Sequence, residues 1–134
     1  MNSTARIRIL VSGDHVAEAV DHVVTLDNDA DPFLYSEAIA EADRVELHFP
    51  QFTDGRAFSQ AYLIRRRLGF KGDLRATGDV LADQLIQMER TGFSSAVLSE
   101  GVDLADAQRQ LERFGAFYQG DVSRDAPFRT GQQA

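Results

Sequence analysis

The chain contains no cysteine, which removes disulfides, thiolate catalysis and cysteine-held zinc or iron–sulfur clusters. Lysine is almost missing as well. Lys71 is the only one, the other basic residues are arginines, and the formal net charge is -7. Non-specific binding to nucleic acid needs a basic excess, so no nucleic-acid partner is expected. Arg65, Arg66 and Arg67 are consecutive, but consecutive residues fan around a helix and read as a solvated face. No apolar run is long enough to cross a bilayer, so no membrane partner is expected. The first ten residues, MNSTARIRIL, lack an apolar segment followed by a small-residue cleavage site, and a cytoplasmic location is expected. There is no G-x-G-x-x-G and no phosphate-binding G-x-x-x-x-G-K-[ST]. His15, His22 and His48 form no H-x-x-x-H pair, so no metal ligand is assigned and the cofactor is left unknown.

What is present is a chain of 134 residues, 43% hydrophobic and 26% charged, of a size and composition that suit one globular domain. Residues 1–119 read as that domain and residues 120–134 as a polar tail. Phe117, Tyr118 and Phe128 are apolar enough to dock on the domain or on a partner.

Alternation over Arg6–Val11 predicts an edge strand, and Val23–Leu26 a weaker one. Asp31 then caps a helix with Pro32 at its first position, running to about Ala42. From there strand and helix alternate. Strands are predicted at Arg44–Phe49, Asp73–Thr77 and Ser94–Ser99, and helices at about Gly55–Leu68, Val80–Thr91 and Leu104–Phe114. Ala57, Ala61, Ile64 and Leu68 share one helix face; Leu81, Leu85 and Met88 share another. Gly69 and Gly92 stand where left-handed caps belong, each followed by a phenylalanine. The fold class is α/β, with a mainly parallel sheet built from successive strand–helix units. It takes the form of a partial (βα) barrel or a flavodoxin-like open sheet.

In such a sheet the loops leaving the carboxyl ends of the strands gather on one edge, where ligands bind. That rule brings together FPQFTDGR, RATGD and SEGVD. Arg56 opens a helix among amides without intrahelical partners, and Arg75 precedes Gly78 and a capping Asp79. Arginine, free amides and a helix dipole describe an anion site. The candidate ligand-binding set is Thr53, Asp54, Gly55, Arg56, Ser59, Gln60, Arg75, Gly78, Asp79, Asp83 and Gln84. The competing reading is purely structural: Thr53 or Asp54 as helix cap, Gly55 relieving the turn, and Arg56 paired with Asp54 or Asp79. Two other constellations are weaker. Asp27, Asp29 and Asp31 suggest calcium, but Pro32 and Ala38 replace the glycine and glutamate that an EF-hand loop needs. His48, Asp54 and Ser59 have hydrolase-triad chemistry without a G-x-S-x-G elbow.

FTDGRAFSQA (52–61) together with LGFKGDLRATGDVLADQL (68–85), and later GF (92–93) and FYQ (117–119), resembles the bacterial domain-of-unknown-function family nine hundred thirty-four. The resemblance spans about Val45 to Gln119. Its motif residues here are Asp54, Gly55, Arg56, Ser59, Gln60, Arg75, Gly78, Asp79, Asp83 and Gln84. Fewer residues precede Arg44 than the family's pattern has, and His48 stands outside it and receives no role. The resemblance implies probable oxidoreductases involved in sulfite reduction, a description that rests on gene position beside the sulfite reductase haem subunit and sulfate-assimilation enzymes. Three readings follow. The favoured one is an accessory protein of assimilatory sulfite reduction, holding a small oxyanion and associating with the sulfite reductase haem subunit or its electron donor. The others are an oxidoreductase acting on a sulfur compound and a non-catalytic module that self-associates as a homodimer. Whether the chain is an enzyme is left open.

Overall fold

The computed structural model describes residues 6–51 and 55–117. Five strands form one sheet: β1 (Arg8–Leu10), β2 (Val23–Leu26), β3 (Arg44–Phe49), β4 (Asp73–Gly78) and β5 (Ser95–Val97). All pairs are parallel and the spatial order is β1-β5-β4-β3-β2. Five helices alternate with them: α1 (Ser12–Ala17), α2 (Ser36–Ala40), α3 (Arg56–Arg66), α4 (Leu85–Thr91) and α5 (Leu104–Phe117). From β2 to β5 each helical connection steps to the adjacent strand, and β1 docks on the far side of β5. The α/β class and the open parallel sheet are as the sequence predicts. The direction of travel reverses once, at β2, so the β1–β2 connection lies on the face opposite α2–α5. The cyclic order is that of a small α/β barrel opened between β1 and β2, so the connection from β1 to β2 must cross the whole sheet.

Strand parity decides what each face contains. In β3, Val45, Leu47 and Phe49 are fully buried on the face covered by helices, while Arg44, Glu46 and His48 point to the other. Register extends both rows. Leu26, Leu74, Ala76 and Ala96 join the apolar face and meet Ile39, Ala57, Ala61, Ile64, Leu85, Met88, Ala107 and Leu111 of the helices. Phe49, Phe58 and Phe93 form a ring cluster there, with centroids 5.1, 5.9 and 6.3 Å apart.

The predicted caps are present. Gly92 has φ 112° and Phe93 N–H returns to Met88 O at 3.0 Å; Gly69 has φ 71° and Phe70 N–H returns to Ile64 O at 3.1 Å. Arg65 ties these two ends together, donating to Gly92 O at 2.8 Å, Phe70 O at 2.9 Å and Gly72 O at 2.8 Å. It is therefore a structural clamp and not part of a solvated face; only Arg66 and Arg67 are exposed.

Two predicted helices are each split. Pro32–Tyr35 is a 3-10 turn before α2, with Asp31 Oδ1 accepting from Phe33 N–H at 3.0 Å, and Ala82–Gln84 is a 3-10 turn before α4. Proline and a side-chain cap favour the tight turn at the first, and a three-residue Gln84 bond to Leu81 N–H does so at the second. The helix α1 has no counterpart in the sequence reading. It contains Gly13 and buries none of its residues, so it has no apolar stripe to read. Among the described residues no helix is long and apolar enough to cross a membrane. Residues 118–134, including Tyr118 and Phe128 and the whole predicted tail, lie outside the described residues.

Candidate functional site

Among the described residues, the all-parallel sheet brings 27–31, 79–81 and 98–103 to its carboxyl edge, with Pro50 directly after β3 and Val11 directly after β1. Backbone and hydroxyl bonds join 79–81 to 98–103 and to the end of β3. Asp79 N–H donates to Phe49 O at 2.7 Å, and Ser99 N–H to Val80 O at 3.0 Å. Ser99 Oγ accepts from Val80 N–H at 2.9 Å and lies 3.2 Å from Asp79 Oδ1 and 3.1 Å from Gly78 O. Asp79 is thus anchored to the neighbouring loop by Ser99. The 3-10 turn that follows begins after Leu81, whose N–H is taken by Gln84 Oε1 at 3.2 Å, so the predicted Asp79 cap is replaced by Gln84.

Gly78 is held by geometry: its φ is 94°, and a Cβ there would lie 2.3 Å from Phe49 O and 2.8 Å from the His48 ring. Only glycine fits both the left-handed backbone and the space. His48 packs on Gly78 from the face opposite α3, whereas Ser59 is exposed on α3, so the triad constellation is split across the sheet.

Of the other sequence candidates, Gly55 is the residue preceding α3 and Arg56 is its exposed first residue. Ser59 and Asp83 are exposed. Thr53 and Asp54 lie outside the described residues. Gln60, one turn after Arg56 on the same side of α3, is buried. Its Nε2 donates to Asp27 O at 2.7 Å and Ala30 O at 2.8 Å, fixing the acidic loop onto the helix. Both partners are acceptors, so the amide orientation is determined, and its Oε1 is left buried without a partner. Beside that loop Asp27, Asp29 and Asp31 are exposed, and the next turn exposes Phe33 (46%), Leu34 (80%) and Tyr35 (43%).

Arg75 is not at this edge. It is the third of six residues in β4, on the face away from the helices, and its side chain is fully buried. Parity turned it inward, and the segment from β1 to β2 covers it. Its Nε donates to Ser95 Oγ at 2.8 Å, Nη2 to Asp73 Oδ2 at 3.0 Å and to Glu18 Oε1, and Nη1 to His15 Nδ1 at 2.9 Å. A guanidinium only donates, so Nδ1 of His15 is the unprotonated nitrogen. Asp73 Oδ1 is satisfied by Ser94 Oγ at 2.6 Å and Ser95 Oγ at 2.8 Å. Arg8 grips Glu18 with two bonds of 3.0 and 2.9 Å, and Arg44 donates to Glu46 at 2.9 Å and to Glu18 O at 2.8 Å. The hydrogen bonds from Arg8 and then Arg75 hold the Glu18 carboxyl down to about 2. Sequence reasoning did not find Arg8, His15, Glu18 or Arg44. The available signal was polar residues at alternate positions of predicted strands, which equally describes a solvated face.

A family model, for a bacterial protein of unknown function (DUF934), matches residues 23–129. The match starts at the first residue of β2 and includes Arg56, Gln60 and Arg75; β1 and α1 precede it. No curated protein and no solved structure matches the chain.

Proposed function

We propose that this chain, which belongs to the DUF934 family of bacterial proteins, is an accessory protein of assimilatory sulfite reduction that docks on the haem subunit of sulfite reductase or on its electron donor. The observation that carries the docking is one corner of the carboxyl edge, where the exposed acids Asp27, Asp29 and Asp31 adjoin exposed Phe33, Leu34 and Tyr35. Acidic groups around an apolar centre suit a partner with a basic rim, and such contacts gain rate and orientation from charge. Gln60 holds this corner in register with Arg56.

Arg56, in the first turn of the eleven-residue α3, supplies a cation at a helix N-terminus, which suits a small oxyanion such as sulfite. Arg75 takes no part in this reading, because its side chain is committed on the other face. The test is growth of a deletion strain of the source organism on sulfite as sole sulfur source, complemented by wild type, Leu34→Asp or Arg56→Ala. A requirement for cysteine or sulfide that wild type rescues and Leu34→Asp does not is the expected result. Normal growth without the gene overturns it. Binding to the purified haem subunit should weaken as salt rises.

A second reading, self-association as a homodimer, is favoured by the edge of β2, unpaired among the described residues, beside exposed Val23 (38%), with Val16 (78%) and Val20 (41%) on the preceding segment. Light scattering decides it: a dimer mass that falls to monomer in Val16→Asp supports it, and a monomer at all concentrations ends it.

A further inference from the structure

The face of the sheet opposite the helices carries a row of charge that the proposed function does not use. Register places Arg8 beside Ser95 and Ser95 beside Arg75, so two arginines stand one strand apart on the same side. Arg75 is preset by Ser95 and Asp73 at 2.8 and 3.0 Å, both within the sheet itself. Asp73 balances one of the two positive charges. The other is balanced by Glu18, which comes from the crossing segment 11–22.

That segment is weakly attached. Its helix α1 has six residues and buries none of them, and Val16 is 78% exposed. A helix of that length has no stability of its own in water. What holds it on the sheet is polar: the Glu18 carboxylate on Arg8 and Arg75, the Glu18 carbonyl on Arg44, His15 on Arg75 and, at its far end, His22 O accepting from Asp43 N–H and Arg44 N–H at 2.8 and 3.2 Å while His22 N–H donates to Asp43 Oδ2. A groove of about 700 Å³ reaches Arg8 and Glu18, with Asp14 and Ala17 of the crossing segment and Gln108 of α5 also lining it, while Arg75 lies buried behind Glu18.

We propose that Arg8 and Arg75 form an anion-binding site in which Glu18 is the resident stand-in. A ligand bearing a carboxylate or a comparable oxyanion displaces it when segment 11–22 lifts. Glu18 shows the geometry the ligand would reproduce: two oxygens taken in a fork by Arg8, one of them shared with Arg75. Without Glu18 the row of Arg8, Arg75 and Asp73 carries an excess positive charge, partly buried, for which an anion is the complement. The site is separate from the Arg56 edge, and nothing in its argument depends on sulfite reduction.

The test is anion binding by the full chain carrying Glu18→Ala, followed by calorimetry and melting temperature in sodium sulfate and, separately, sodium succinate, against chloride at equal ionic strength. Hydrogen exchange of residues 11–22 reports whether the segment has lifted. The expected result is saturable binding about tenfold or more tighter than in wild type, because the competitor that keeps the site closed is gone. With Arg56→Ala present in every variant, so that the carboxyl edge does not contribute, binding should be lost in Glu18→Ala with Arg8→Ala and unchanged in Glu18→Ala with Arg67→Ala, an exposed arginine outside both sites. Sulfate binding alone assigns a tetrahedral oxyanion and succinate binding a carboxylate, and either supports the site. Absence of saturable binding while exchange shows the segment released overturns it, as does binding that survives Arg8→Ala. If Glu18→Ala does not fold, Glu18→Gln keeps the side-chain volume and the same two outcomes apply.

Discussion

The helix-covered face of the sheet and the face beneath segment 11–22 come from the same strands, one residue apart. Leu47, Ala76 and Ala96 lie on the first; Glu46, Arg75 and Ser95 lie on the second. The first face is stabilised by removing apolar area from water, about 25 cal/mol per Å², a term that does not depend on the direction of any contact. The second is stabilised only insofar as each desolvated charge finds its partner at bonding distance, and its margin is the small difference between pairing and desolvation. Burial alone therefore says little: Arg75 and Leu47 are both fully buried, yet one is conditional on its neighbours and the other is not.

The sharpest way to test the contrast is Arg75→Ala. It leaves Asp73 and Glu18 facing each other without the shared cation, and urea unfolding should show a loss of about 3–5 kcal/mol. Leu47→Ala, at the same depth on the apolar face, should cost about 2–4 kcal/mol with no dependence on salt. Equal salt sensitivity of the two variants would erase the distinction drawn here. Gly78→Ala tests the junction between the faces, since its Cβ would strike Phe49 O and the His48 ring. A loss of about 1–3 kcal/mol is expected from the left-handed backbone and the contact together.

The smallest effect is the most specific. Because the Glu18 carboxyl is depressed from 4.5 to about 2 in the folded chain, its contribution is complete above 4.5 and is lost as pH falls toward 2. The stability difference between wild type and Glu18→Gln should therefore be largest near neutral pH and close over that acidic window. Thermal denaturation across the range measures it, and a pH-independent difference would show that Glu18 contributes through packing instead.

Local patterning made much of this legible. RVELHF announces a strand, and the structure has β3 over those same six residues. The glycine–phenylalanine pairs at 69–70 and 92–93 announce helix ends, because no other residue takes the left-handed position so cheaply. Gln60 was singled out from its place at the start of a helix, yet its partners, Asp27 O and Ala30 O, lie some thirty residues away and no local pattern points to them. Arg75 was assigned to the carboxyl edge because it stands close to Gly78 in sequence. Three residues along a strand span about 10 Å and reverse the face, so proximity in sequence did not become proximity in space.

From sequence alone, then, came the elements other than α1, the apolar faces of α3 and α4, and a family match across residues 23–129. These rest on interactions between near neighbours, where spacing is enough. Tertiary structure decided the fate of the polar face. Whether Arg8, Arg44 and Arg75 meet water or carboxylates depends on β1 docking beside β5, at the opposite edge from β2, which forces residues 11–22 across the sheet and lays Glu18 between the arginines. Strand parity can say which way a side chain points, but only the long-range crossing determines what it meets there.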